Sequence, residues 1–186
     1  MSASRGLEVA AGSRSFLARF LGALRLDASV FEEVEHDAGA LPQSAGVVAI
    51  AGLARGIQVL PEQGWIDAVA SGIAAFVMWF AVATAVTVIG VRILHGSSSF
   101  GELLRTLGFA AAPLVLLALC TLPLGVISTA LSALVHAVAI GALVLAVRQA
   151  LDTNTTRALI VCAGAIGLGL ALLFLLGILL LGRPTV

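Results

Sequence analysis

Residues 109–147 read FAAAPLVLLALCTLPLGVISTALSALVHAVAIGALVLAV, about forty residues with no charged side chain. Thr121, Ser128, Thr129, Ser132 and His136 are the polar residues in it. A membrane-crossing helix needs about 20 apolar residues, so the run is long enough for two crossings. Pro123 and Gly125 stand near its middle and signal a turn. The run therefore predicts a membrane hairpin with a short apolar turn. Working outward from it, the expected fold class is all-α: a polytopic membrane helical bundle with five transmembrane helices and an N-terminal amphipathic helix in the membrane interface.

Composition agrees. The 186 residues are 60% hydrophobic and 11% charged, with a mean hydropathy of +1.13, whereas soluble domains carry about 25% charge. Little chain is left for a soluble domain. The formal net charge is zero, which excludes nucleic-acid binding by bulk electrostatics. All ten basic residues are Arg. With so much Ala, Leu and Val, that usage points to GC-rich codons and a bacterial cytoplasmic (inner) membrane. The first twenty residues lack the pattern of a cleaved signal peptide, so insertion is expected to be directed by the first span. Cys120 and Cys162 fall within predicted spans and read as small packing residues, since two such cysteines make neither a disulfide framework nor a metal signature.

Before the spans, residues 1–12 are small and polar and read as a disordered N-terminus. Residues 13–40 read as a cytoplasmic helical arm. Over 13–26, Phe16, Leu17, Phe20, Leu21 and Leu24 share one helical arc. Arg14, Ser15, Arg19, Gly22 and Arg25 cover the rest, as in a helix lying in the membrane interface. Phe16, Phe20 and Arg19 are thus candidate interfacial or partner contacts. Ser29 and Glu32 have the spacing of a capping box and predict a second helix from Val30 to Ala40. On it, Glu33 and His36 form Glu-x-x-His, a di-metal ligand spacing. No second copy exists to complete such a site. The preferred reading is a solvated acidic face that contacts a partner or pairs with the arm's arginines.

The membrane domain is expected over 41–186, with spans near 43–60, 65–94, 103–122, 126–147 and 158–181. In the first, Gly52 and Gly56 allow close backbone approach, and Arg55 reads as an outer anchor that snorkels toward Glu62 or Asp67. Pro61–Gly64 reads as a loop. Pro113 predicts a kink or hinge in the third span. In the fourth, Ser128, Ser132 and His136 recur every four residues and line one helix face. His136 is an ionisable group at membrane depth. Asn154-Thr155-Thr156 matches a glycosylation acceptor, but its loop is expected to face the cytoplasm. With the N-terminus inside, eight arginines (5, 14, 19, 25, 92, 105, 148 and 157) fall inside and Arg183 outside, satisfying the positive-inside rule.

Three stretches resemble a known family. They are Phe31-Glu32-Glu33-Val34 through Asp37, followed by the small-residue span that ends Gly52-Leu53-Ala54-Arg55-Gly56-Ile57; Ser99-Phe100-Gly101-Glu102-Leu103-Leu104-Arg105-Thr106-Leu107-Gly108-Phe109-Ala110 with Pro113 shortly after; and Ala146-Val147-Arg148-Gln149-Ala150-Leu151-Asp152 with Thr156-Arg157-Ala158. Together they resemble the Yip family, polytopic proteins named for Ypt/Rab-interacting proteins. The resemblance implies a five-helix membrane domain with a cytoplasmic N-terminal segment. In eukaryotes such proteins bind small GTPases and help to organise secretory membranes, a traffic that bacteria lack.

The residues themselves contain no Ser/His/Asp set, no Gly-rich phosphate loop and no metal cluster. No catalytic residue, cofactor or metal is expected. The functional expectation is a non-enzymatic scaffold or accessory subunit, in contact with the lipid bilayer and with a membrane protein partner or further copies of itself. The competing expectation is a small permease or channel along Ser128, Ser132 and His136, with Pro113 as hinge and Arg55 at the mouth.

Overall fold

The computed structural model describes residues 14–122 and 124–181. The expectations for 1–12, Pro123 and Arg183 lie outside them. Among the described residues all regular structure is helical, and four helices are long and apolar enough to cross a membrane: Ala38–Ile93, Phe100–Thr121, Val126–Ala150 and Thr155–Leu172. Two short helices precede them, α1 (Phe16–Leu24) and α2 (Ala28–His36).

Helix α3 (Leu41–Val86) runs for 46 residues. Straight, it would measure about 70 Å, more than twice a hydrocarbon core. It breaks instead at one residue. Gly64 has φ 84° and ψ −179°, outside the helical region and in a conformation that suits glycine. The chain there doubles back, and the two arms of α3 pack against each other. A Cβ added at Gly56 would lie 2.7 Å from the Ala68 carbonyl oxygen, and one at Gly52 would lie 3.1 Å from the Gly72 Cα. The loop expected over Pro61–Gly64 is therefore tighter than its sequence reads, with Pro61 still inside the helix. Past Val86 the helix widens into a π-helical segment, Thr87–Ile93, where Gly90 admits the Leu151 side chain.

Helix α4 (Phe100–Ala110) begins with a capping box. Ser99 accepts from the Glu102 amide, and the Glu102 carboxylate accepts from the Ser99 amide. The same signature at Ser29 and Glu32 does not act as one. Asp27 caps α2 two residues earlier and takes both the Ser29 amide and the Ser29 hydroxyl. After Ala110 the α-helix gives way to a 3-10 helix, Ala112–Thr121, with Pro113 in its first turn. A proline lacks the N–H that α-helical bonding back to Phe109 needs. Gly125, at φ 58°, then leads into α5 (Val126–Ala150), and α6 (Thr155–Leu181) closes the order.

Neighbouring helices meet through small residues. Gly108 of α4 abuts Ser44 of α3, and Gly169 of α6 abuts Met78. The core holds Val47, Trp79, Val86, Leu103, Phe109, Val147 and Val161, and Val30, Phe31 and Val34 of α2 belong to it. Trp79 satisfies its indole N–H on the Leu104 carbonyl at 3.0 Å. Along the long helices the outer surface is also apolar. Leu53, Trp65, Ile73, Leu134 and Phe174 are each more than half exposed, a surface that suits lipid and not water.

Candidate functional site

The short helices and the 95–98 and 151–154 connections share one end of the bundle, where polar side chains concentrate. Their centre is Arg19. It is 1% exposed. Its Nε and Nη2 donate to Glu33 Oε1 at 3.0 and 2.9 Å, Nη2 reaches Asp37 Oδ2 at 2.6 Å, and Nη1 reaches Gln43 Oε1 at 3.0 Å. One guanidinium thus ties α1 to α2 and to the start of α3. Arg14 adds ion pairs to Glu33 (3.3 Å) and Asp27 (3.6 Å). The Arg19 guanidinium, aided by the Gly39 amide, holds the Asp37 carboxyl below its ordinary range. At Asp27 the Ser29 hydroxyl and amide do the same, with a smaller contribution from Arg14.

This network corrects one part of the expectation for α1, that its arginine face is solvated. Arg19 does not point to water, and Gly22 faces Val30 at a distance too short for a side chain. Phe20 and Leu24 pack on the core. Phe16 and Leu21 stay about two-fifths exposed, and Leu17 is 62% exposed. The guanidinium, taken out of water, has both carboxylates and the Gln43 amide oxygen as partners, as a buried charge requires.

A second arginine fastens α2 to the bundle. Arg105 Nε donates to the Val34 and Glu35 carbonyls at 3.1 Å each, and Nη2 also donates to Glu35. These are unpaired carbonyls of the α2 C-terminal turn, where a cation is favoured. The Arg105 carbonyl in turn accepts from the Ser44 hydroxyl at 2.7 Å. The stretch from Ser99 to Gly108 is therefore a docking element: cap, core leucines, an arginine for α2 and a glycine for α3.

The remaining singled-out residues are dispersed. Glu33 is engaged by the arm's arginines, while His36 Nδ1 bonds to its own helix at the Glu32 carbonyl, 2.9 Å away. Among the described residues no His, Cys, Asp and Glu group is placed to hold a metal. Arg55 donates to Gln58, one helical turn on, at 2.5 Å, and forms no ion pair with Glu62 or Asp67 among the described contacts. Ser128 caps the turn before α5, bonding Leu122 and Leu124. Ser132 accepts from Gln58 Nε2 at 3.2 Å. His136 is exposed on the bundle exterior and bonds back to the Ser132 carbonyl at 2.7 Å. The three residues of the polar stripe thus have three different sets of hydrogen-bond partners.

Two features had no signal in the sequence reading. Glu35 is 8% exposed. Burial pushes its carboxyl above the ordinary range; the His36 charge opposes this, and Asp152, Glu102 and Glu32 add to it. Nearby, a recess of about 170 Å³ opens between the 94–97 segment and the 151–157 segment, with His95, Ser97, Asp152, Thr153 and Arg157 in its wall.

All-helical structure, long apolar helices and an apolar exterior define a polytopic membrane protein. The particular family follows from the chain itself: the Yip1 domain matches residues 27–176, and the protein belongs to that family. The match begins at Asp27, the cap of α2, so the docking element around Arg105 lies inside it and α1 lies before it. No curated protein and no solved structure matches the chain.

Proposed function

We propose that this protein is a non-enzymatic scaffold or accessory subunit of a bacterial inner membrane, with five crossings and the N-terminus on the cytoplasmic side. In this reading 41–186 is the membrane domain, with α3 crossing twice through its break at Gly64, and 13–40 is a cytoplasmic arm. The observation that carries it is the Arg19 network. It holds α1 in a fixed pose at the bundle end while leaving Phe16, Leu17 and Leu21 uncovered. A helix clamped in place with its apolar side outward is a preformed contact for the membrane interface, and through it for a membrane partner or a second copy.

The test uses the whole protein in liposomes. A lipid-sensitive fluorophore on Leu17→Cys or Leu21→Cys should report an apolar environment, and one on Arg25→Cys or Glu32→Cys should report water. Arg19→Ala should loosen the arm by about 2–3 kcal/mol and expose 14–26 to protease. Water at all four labelled positions would refute the contact. Purification in mild detergent as a lone monomer, with no stoichiometric partner or higher oligomer, would count against the scaffold.

A further inference from the structure

We propose that the recess between the end of the π-helical segment and the α5–α6 connection binds the head group of an amine-bearing zwitterionic phospholipid. Its wall contains Asp152 and Arg157 together, and neither forms an ion pair with another described residue. A guanidinium suits a phosphate by fork geometry, and a carboxylate suits an ammonium. The two charges cancel, so the recess matches a zwitterion better than an anion. Ser97 fixes one side by donating to Asp152 Oδ2 at 3.3 Å.

Size narrows the ligand. About 170 Å³ is below the range of about 300–1,000 Å³ typical for drug-sized ligands. It leaves room for a phosphate and a short amine.

The backbone around the recess is held in costly conformations. His95 (φ 56°) and Asp152 (φ 46°) both take left-handed conformations without being glycine. Both follow the C-cap residue of a helix, where a left-handed residue ends the helix; π-helical segments cluster at functional sites, and Thr87–Ile93 ends at this recess. Leu151 seats the two segments together by filling the space over Gly90 and Gly96.

Position favours a lipid over a free solute. The recess sits where the apolar exterior meets the polar bundle end. Ile93 and Ile160, next in sequence to the lining residues Leu94 and Val161, are 62% and 60% exposed and offer apolar surface for acyl chains.

Native mass spectrometry of the detergent-purified protein would compare phosphatidylethanolamine, phosphatidylglycerol and soluble phosphoethanolamine. The wild type should retain phosphatidylethanolamine preferentially. Asp152→Asn and Arg157→Gln should each weaken retention about tenfold, the loss of one charge-assisted hydrogen bond. A photoactivatable phosphatidylethanolamine with its reactive group in the head should crosslink to 94–97 or 151–157 of the unmutated protein, which keeps the test valid if a variant misfolds. Equal retention of both lipids, or crosslinks confined to other segments, would overturn the proposal. Soluble phosphoethanolamine binding as tightly as the lipid would overturn the lipid as its source.

Discussion

At Glu35 a carboxyl group sits in the last turn of α2, the end of a helix that repels negative charge. It faces Glu102 and Arg105 from α4 and Asp152 from the α5–α6 connection, with Glu32 and His36 on its own helix. Arg105 is spent on the backbone carbonyl of Glu35. A carboxyl whose pKa is raised by folding favours the folded state in its protonated form. The contribution of Glu35 to the docking of α2 is therefore fully present below the ordinary value of 4.5. It weakens as pH rises from there through the raised value. Glu35→Gln should abolish that loss and leave α2 better protected at neutral pH, as read by amide hydrogen exchange over 28–37. Asp37 contributes in the opposite sense. Its lowered pKa stabilises the docked arm above its ordinary value of 3.8 and is lost as pH falls below that. A wild type and a Glu35→Gln variant with parallel pH profiles would show that Glu35 is not the responsible group.

Helix contacts in this bundle depend on where a glycine lies along its helix. Gly46 and Gly56 both belong to the first arm of α3, yet a Cβ at Gly46 meets nothing within 4 Å and one at Gly56 meets the Ala68 backbone at 2.7 Å. Gly46→Ala should stabilise by about 0.5–1 kcal/mol through lower unfolded-chain entropy. Gly56→Ala should cost about 1–3 kcal/mol, because the facing group is backbone and cannot rotate away. Thermal unfolding in one detergent checks both, and equal effects would show that the two arms do not approach as described. The G-x-x-x-G pattern of Gly52 and Gly56 marked this seam in the sequence. The partner at Gly108 had no such mark, since Ser44 lies 64 positions away and only packing brings it there.

For the whole molecule, the break at Gly64 decides the number of crossings. Five crossings put Ser97 and Thr153 on one side of the membrane and Gln63 and Val126 on the other. Cysteines at these positions, labelled from either side of sealed vesicles in a background without Cys120 and Cys162, should divide in that way. Labelling of positions 63 and 97 from the same side would mean that the two arms of α3 do not each cross.

Apolar runs too long for a soluble core, bounded by arginines, determined a helical membrane protein from sequence alone, because lipid leaves the backbone no other way to satisfy its hydrogen bonds than helix or closed barrel. Pro113 likewise marked a disturbance of the third span, expected as a kink and found as a passage into 3-10 helix, because a missing N–H is a local fact. The pose of α1 depended on tertiary structure. Its periodicity separates a Phe/Leu arc from an arginine face, but it is Glu33 and Asp37, 14 and 18 residues further on, that draw Arg19 out of water and onto α2. The positions of Arg105, Asp152 and Glu35 likewise came only from the tertiary structure. Charge pairing acts across space at a few ångströms, and spacing along one helix carries no information about which distant carboxylate or carbonyl will stand there.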